Sequence, residues 1–484
     1  MSTSFVNSGS ISSTGIGSGL DVAGLITKMM AVESRPLTAL KTQASTLDNQ
    51  LSTVGKLQAY FAALQTQSNA LTSASLWAAT TATSADPAAV SVSTSKDAVT
   101  GSHAVSVSRL AAGQTLTSTA FANSAFGAGS LTIELGSYGS GTPAAGFNAK
   151  AGSSPVTINL ASTSLSGLRD QINAAGAGIT AAIVSDASGA RLSLRSKDTG
   201  AENAFRISAS EDIDDGDPAT GLSALAFDAS LSGSPMLRTT NAANAELSID
   251  GIALSSPSNT LNNVVDGLSL NLRKTTASEV TVTVASDTAS VKAAITGFVS
   301  AFNTLAGFIG SQTAYSAGNK TGGALQGDQA TLALQRQLRQ VINEGSSASS
   351  SWSRLSDIGI TMQADGTLAA DSAKLDNASG NLTELSKLLI TDGSGSADSG
   401  FARRFKRLAD AALSSEGMLA TRTASIQART TRNSKSQEAM QKRLDQTQAR
   451  LQAQYSALDS QMANLNALST YMTQQITQSN KSTL

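Results

Sequence analysis

Leu40-Lys41-Thr42-Gln43-Ala44-Ser45-Thr46-Leu47-Asp48-Asn49-Gln50-Leu51-Ser52-Thr53-Val54 places Leu40, Ala44, Leu47, Leu51 and Val54 in steps of four and three, and Phe61 and Leu64 follow. That spacing keeps one helical stripe turned toward a partner helix, the seam of a coiled coil. Val291, Ile295, Phe298, Phe302, Leu305 and Ile309 form a second seam, stepping 4-3-4-3-4. A third stripe runs through Leu444, Leu451, Tyr455, Leu458, Met462, Leu465, Leu468, Met472 and Ile476, in a stretch from Phe401 without proline and nearly without glycine. Helix is therefore expected at both chain ends, and the ends can meet only if the chain goes out and comes back.

Toward the N-terminus, Leu25, Ile26, Met29 and Met30 continue the helical pattern, and Asp21 is placed to cap it. Pro36 should end or kink that helix, because the residue before a proline resists the α region. Residues 1–19, rich in Ser, Gly and Thr, read as an arm. Past Ser73 the period changes to two. Val90 and Val92, Val105 and Val107, Leu131–Leu135, Val156–Leu160, Ile179–Val184, Arg191–Leu194, Glu246–Ile249, Leu268–Leu272 and Val280–Val284 all read as strands. Leu165, Leu168 and Ile172 fit a short helix. Ser162–Ile172 can be laid on Ser258–Leu268 as a weak repeat, with Ser164 and Thr260 as the two helix caps. Further on, Leu334, Leu338, Val341 and Ile342 mark a helix, and Asp365-Gly366 marks a hairpin before Leu368. The fold class is α+β and multidomain: terminal α-helical coiled-coil or bundle legs with inserted β-rich head domains.

The expected division is an arm and leg helix over 1–40 pairing with a leg helix over 441–484, and a helical bundle from 41–76 with 286–440. A β-rich head follows from 77–120 with 240–285, and a second head is inserted over 121–239.

Composition narrows the function. The 484 residues carry 34 Lys and Arg against 35 Asp and Glu, a net charge of −1, so nucleic acid is not expected as a partner. There is no cysteine and one histidine, which removes thiol chemistry and cysteine-based zinc sites together. No continuous apolar run of ~20 residues is seen, so no membrane insertion is expected. No Sec-type leader is seen either. His103 lies in a strand pattern with no local nucleophile or carboxylate beside it, and reads as an edge or packing residue. Gly15-Ile16-Gly17-Ser18-Gly19 lacks the strand and lysine of a phosphate loop. The acidic run Glu211–Asp217 fails calcium-loop spacing, with Ile213 and Leu222 where oxygen ligands are needed. Residues 401–450 hold eleven basic and four acidic residues, which read as a solvated face or as partners for acidic groups of neighbouring subunits. No catalytic, cofactor or metal residue is assigned, and no enzyme is expected. What stands out is apolar surface at the two ends. A two-helix coil leaves part of it uncovered, so other subunits are expected to complete it.

The segment Ile11–Val22, with Met29-Met30 and Glu33-Ser34-Arg35-Pro36-Leu37, closely resembles the N-terminal signature of the flagellar filament-cap family, hook-associated protein 2. Ala245–Gly251, Ser258–Leu261, Val264–Leu268, Phe298–Asn303, Ile358–Ile360 with Asp365–Leu368, and Tyr455–Asp459 carry the resemblance onward. Tyr455 stands where the family pattern has phenylalanine, and residues from Phe121 to Thr240 match in pattern only. The resemblance implies a structural cap at the distal end of the flagellum, secreted unfolded through the type III export apparatus with a cognate chaperone. It also implies a ring of copies of itself, five subunits with four to six open, which retains exported flagellin and promotes its folding into the filament. Ile16, Leu20, Leu25, Met29, Leu451, Tyr455, Leu458, Met462 and Leu465 are the expected interface residues on the leg helices. A hook–filament junction protein or a flagellin-like subunit shares the helical ends, and a coiled-coil adhesin is the remaining alternative.

Overall fold

The computed structural model describes residues 21–121, 125–316, 318 and 321–481. The arm over 1–19 and the expected interface residues Ile16 and Leu20 lie outside the described residues. Among the described residues ten α-helices follow in order: α1 Val22–Glu33, α2 Arg35–Leu71, α3 Ala74–Trp77, α4 Leu165–Ala174, α5 Thr288–Thr313, α6 Gln329–Asn343, α7 Ser372–Ser379, α8 Leu382–Ile390, α9 Phe401–Leu413 and α10 Met418–Lys481. Two compact units result. One is helical and joins both chain ends, up to Ser73 and from Thr288; the other is Ala74–Asp287.

Local chemistry sets the helix ends. Asp21 caps α1 by accepting the Gly24 N–H at 2.8 Å. The helix stops at Ser34, and Pro36 sits in the first turn of α2, where its missing N–H costs nothing. In the helical unit α2 packs against α5, α9 and α10. Leu47, Val54, Leu57, Phe61, Leu64 and Leu71 of α2 are buried, as are all six seam positions of α5. Phe405 of α9 meets Phe298 and Phe302 with ring centroids 5.0 and 5.8 Å apart. α5 has the length and mean hydropathy, 1.4, of a membrane span. Its seam is the inside of the bundle, which accounts for the composition. Ser, Thr, Gly and Asn interrupt α5, so it contains no long continuous apolar run despite its mean hydropathy.

Polar side chains tie α2 to the far end of the chain. Asn433 of α10 donates to Gln43 Oε1 at 2.9 Å, and Gln58 donates to Thr423 Oγ1 at 3.4 Å. Residue numbers rise along α2 as they fall along α10, so the two helices run antiparallel. Asn303 of α5 clamps the predicted hairpin: its amide accepts from Leu368 N–H at 2.6 Å and donates to Leu368 C=O at 2.8 Å. Gly366, at φ +86°, turns that hairpin.

The N-terminal part of the basic stretch is used within the chain. Buried Arg404 donates to the Ser399 and Gly345 carbonyls, Lys406 pairs with Asp410, and Arg407 pairs with Asp392. Arg422 pairs with the buried Asp328, the N-cap of α6. For these groups the reading as a solvated face or as partners for acidic groups of neighbouring subunits is corrected: Asp410 lies one turn away on α9, and the fold brings Asp392 and Asp328 close from outside the stretch.

The β-rich unit holds two cores. In the first, an antiparallel sheet orders strands 80–84, 280–286, 101–109, 245–249 and 252–256, and a second sheet orders 260–265, 268–272 and 90–94. Val90, Val107, Leu247, Leu270 and Val282 fill this core. In the second, strand 129–138 pairs with 204–211 on one side and with 147–149 and 156–160 on the other. A further sheet orders 179–186, 189–196, 115–117 and 237–240, and α4 covers the core with Leu165, Leu168 and Ile172. Ser164 caps α4 by accepting from Gly167 N–H at 3.2 Å.

Thr260 does not cap a helix. Thr260–Val265 is a strand paired with Leu268–Leu272, so the proposed repeat fails. Val264 and Val265 favour extended backbone, and Asn263 at φ +54° interrupts helical geometry while accepting from Gly267 N–H at 2.7 Å. Gly267 has to be glycine for space: a Cβ there would lie 2.2 Å from Ala98 N.

Because both of its cores are closed from within, the excised fragment 74–287 should fold alone and melt cooperatively. Phe61→Ala should cost about 3–5 kcal/mol, the range for truncating a buried phenylalanine, in the transition of the helical unit only. Thermal denaturation followed by circular dichroism checks both; a featureless melt of the fragment would contradict the first.

Candidate assembly interface

The third apolar stripe behaves as two different surfaces. Every seventh residue from Leu444 shares one heptad position: Leu444, Leu451, Leu458, Leu465 and Met472. Their exposures are 6, 8, 43, 58 and 54%. The seam is covered over its first turns and open from Leu458 onward.

The covering comes from this chain. Val22 and Ile26 of α1 bury Leu451 of α10, with Met30 and Tyr455 packed at the edge. The Tyr455 hydroxyl reaches Met29 Sδ at 3.7 Å. Val22, Ile26 and Met30 step by four, so one stripe of α1 is spent on this contact. The next stripe, Leu25, Met29 and Val32, stays exposed, and so do Leu468, Tyr471 and Ile476 on α10.

Among the expected interface residues, Leu451 is thus satisfied within the chain and Tyr455 is half-buried beside it. Leu25, Met29, Leu458 and Leu465 present open apolar surface, and Met462 is half-buried. Val32 and Tyr471 join the exposed set without having been singled out. A signal for the whole open segment was available in the residue types: from Leu451 to Asn480 the only charged residue is Asp459, and the polar positions are Gln, Ser, Thr and Asn. A free solvated helix is ordinarily rich in Lys and Glu, whereas interface centres are depleted of charge.

Two other polar groupings were weighed from sequence. His103 Nδ1 lies 2.7 Å from Asp250 Oδ2, a carboxylate that the sequence around His103 does not contain. Asp250 is 147 residues away and sits at φ +50° in the turn after strand 245–249, so no local pattern could show the pair. Its other oxygen accepts from Ala104 N–H at 2.9 Å, and together these bonds hold the carboxyl below the usual carboxylate range. Among the described residues no hydroxyl is bonded to the other ring nitrogen, as a nucleophile would be. Glu211, Asp214 and Asp215 come within reach of one another in the exposed acidic loop, where Glu211 already accepts from Ser223 N–H at 2.7 Å.

Comparison with known proteins gives one answer across the chain. The family models "Flagellar hook-associated protein 2 N-terminus" and "Flagellar hook-associated protein 2 C-terminus" match residues 18–114 and 242–467, and "Flagellin hook IN motif" matches residues 147–198. Flagellar hook-associated protein 2 of Escherichia coli K12 is 33% identical over 486 residues, 96% of this chain and 98% of that protein. B-type flagellar hook-associated protein 2 of Pseudomonas aeruginosa is 33% identical, covering 92% of this chain and 93% of its own length. The crystal structure of the D1-D2-D3 domains of the flagellar cap protein FliD from Escherichia coli aligns with a TM-score of 0.55 at 32% identity, covering 78% of this chain and 99% of that structure.

Truncating a covered and an open position of the same seam should separate the two surfaces. Leu451→Ala should loosen α1 by about 2 kcal/mol, the low end for a buried leucine. Amide exchange in Val22–Glu33 would then be roughly thirty-fold faster. Leu465→Ala should leave α1 exchange unchanged. Equal effects would show that the seam is used uniformly.

Proposed function

The chain belongs to the flagellar hook-associated protein 2 family, the flagellar cap proteins, and we propose that it caps the distal end of the filament by seating its open α10 seam among copies of itself and on the filament end. On this reading its place is extracellular, at the flagellar tip, and its role is structural. The partners are flagellin, which it holds back and helps to fold and insert, and a ring of identical subunits, five with four to six open. Delivery is through the flagellar type III export apparatus, assisted by a cognate chaperone. The two cores of the β-rich unit serve as the head that closes the tip, and the helical unit as the leg.

The observation that carries this reading is the heptad register that runs unbroken from covered Leu451 into open Leu458, Leu465 and Met472. A seam with one register is completed by more helix of the same kind, and a neighbouring copy supplies it. The absence of charge between Leu451 and Asn480, Asp459 aside, removes the repulsion and desolvation that would oppose such packing. Each side chain of this size buried between subunits contributes roughly 1.5–3 kcal/mol.

Replacing Leu458, Met462 and Leu465 together by Asp should leave monomer melting nearly unchanged, within about 1 kcal/mol, since Leu458 and Leu465 are already open and Met462 is only half-buried. The same variant should fail to form rings in electron micrographs. In cells carrying it as the only copy, monomeric flagellin should accumulate in the medium and filaments should be absent. Normal rings and normal filaments would contradict the proposal, and collapse of the monomer would show that the face is ordinary core.

A further inference from the structure

The β-rich unit contains a small polar cavity of about 220 Å³ beside its second core. Gln114 and Ala201 line it on one side, and the loop Tyr138–Ala144 with Arg238 lines it on the other. Nothing in the assembly reading uses it.

Three features of its wall point to a ligand. First, the Arg238 guanidinium lies 5.7 Å from the centroid of the Tyr138 ring and 5.9 Å from that of Phe227, and among the described residues it is in no ion pair. The nearby Asp228 is engaged by Arg206 at 3.8 Å and by the Ser230 N–H and hydroxyl at 2.8 and 2.6 Å. Arg238 is a half-exposed cation held by ring faces with no carboxylate paired to it among the described residues. Second, Gln114 is fully buried, and its NH₂ donates to the Phe205 carbonyl at 2.7 Å. That contact fixes which end of the amide is which, since a flip would set oxygen against oxygen. Its Oε1 then has no donor among the described residues, a buried acceptor left open. Third, the Tyr138 hydroxyl donates its one hydrogen to the same Phe205 carbonyl at 3.4 Å, and burial pushes this phenol up to about 12, so the wall carries no phenolate to repel an anion.

We propose that this cavity binds a small hydroxylated carboxylate of sugar-acid type, its carboxylate on Arg238 and a hydroxyl donating to Gln114 Oε1. The cation calls for an anion, and the orphan acceptor calls for a donor. That donor is neutral rather than an ammonium, because no acidic side chain lines the cavity and Arg238 already supplies positive charge. The volume lies below the ~300–1,000 Å³ of drug-sized pockets and suits one monosaccharide-sized unit. Gly139, Gly141, Ala144 and Ala201 keep the wall short enough to leave that room.

The test is calorimetric titration of the full chain with sodium D-glucuronate, with D-glucose and sodium cyclohexanecarboxylate as probes that lack the charge and the hydroxyls respectively. Saturable binding of glucuronate is expected, with each control at least about tenfold weaker, since a hydrogen bond to a charged group or a buried orphan acceptor is worth that much. Arg238→Gln should weaken glucuronate about tenfold or more while the melting curve of the β-rich unit holds. Trigalacturonate distinguishes the source: binding as tight as that of glucuronate assigns the site to the end of an acidic polysaccharide, and exclusion assigns it to a free sugar acid. No saturable glucuronate binding, equal binding by a folded Arg238→Gln variant, or equal binding of cyclohexanecarboxylate would overturn the proposal.

Discussion

The helical unit depends on a pairing between residues at opposite ends of the chain. Gln43 on α2 and Asn433 on α10 are 390 residues apart in sequence and meet at 2.9 Å. Asn433 is buried while Gln43 is exposed, so the contact favours one register: a slip leaves the buried Asn433 NH₂ without this acceptor. Closing so long a loop is entropically modest, since the cost grows only with the logarithm of length. What the closure does demand is that the intervening chain occupy little conformational space. The two self-contained cores of the β-rich unit meet that demand, and so does the bundle of α5–α9 packed around α2.

The same pairing determines what is left open. α2 is 37 residues long and α10 is 64, so α10 outruns its partner. α1, set apart by the break at Ser34 and Pro36, covers Leu451 and no more of the described heptad positions beyond it. The open seam from Leu458 is thus a consequence of unequal helix lengths, and it needs no special residue. A protein that must be complete only when assembled has a reason to end this way. Its own folding does not require the partner, while its uncovered turns gain stability only from one.

The helical framework was legible because its signals are periodic and repeated. The α5 seam appears in the structure at all six positions read from sequence, and Pro36 and Asp21 mark the boundaries they were expected to mark. The strands with alternating Val, Ile and Leu were legible for the same reason. Thr80–Ser84 was not read as a strand, since Thr, Ser and Ala give little contrast between faces and the pairing partner decides; Ala204–Glu211 was passed over although buried Phe205 and Ile207 alternate in it, because Ser and Ala replace the alternation beyond them. Thr260 misled because Ser and Thr before an apolar residue precede strands as well as helices. Long-range polar pairs such as His103–Asp250 and Arg422–Asp328 were out of reach altogether: each depends on a topology that local spacing does not encode. At the proposed interface the apolar stripe was readable, but its division at Leu458 into covered and open parts was not. That division is set by where α1 packs.

The absence of native cysteine permits a direct test of what covers the open seam. Leu465→Cys and Leu451→Cys, each introduced alone, differ only in which half of one heptad seam carries the thiol. Oxidation of the assembled protein should give disulfide-linked copies through Cys at 465 in high yield and almost none at 451. An assembly that forms normally yet yields no link at 465 would place the neighbouring subunits elsewhere and contradict the account.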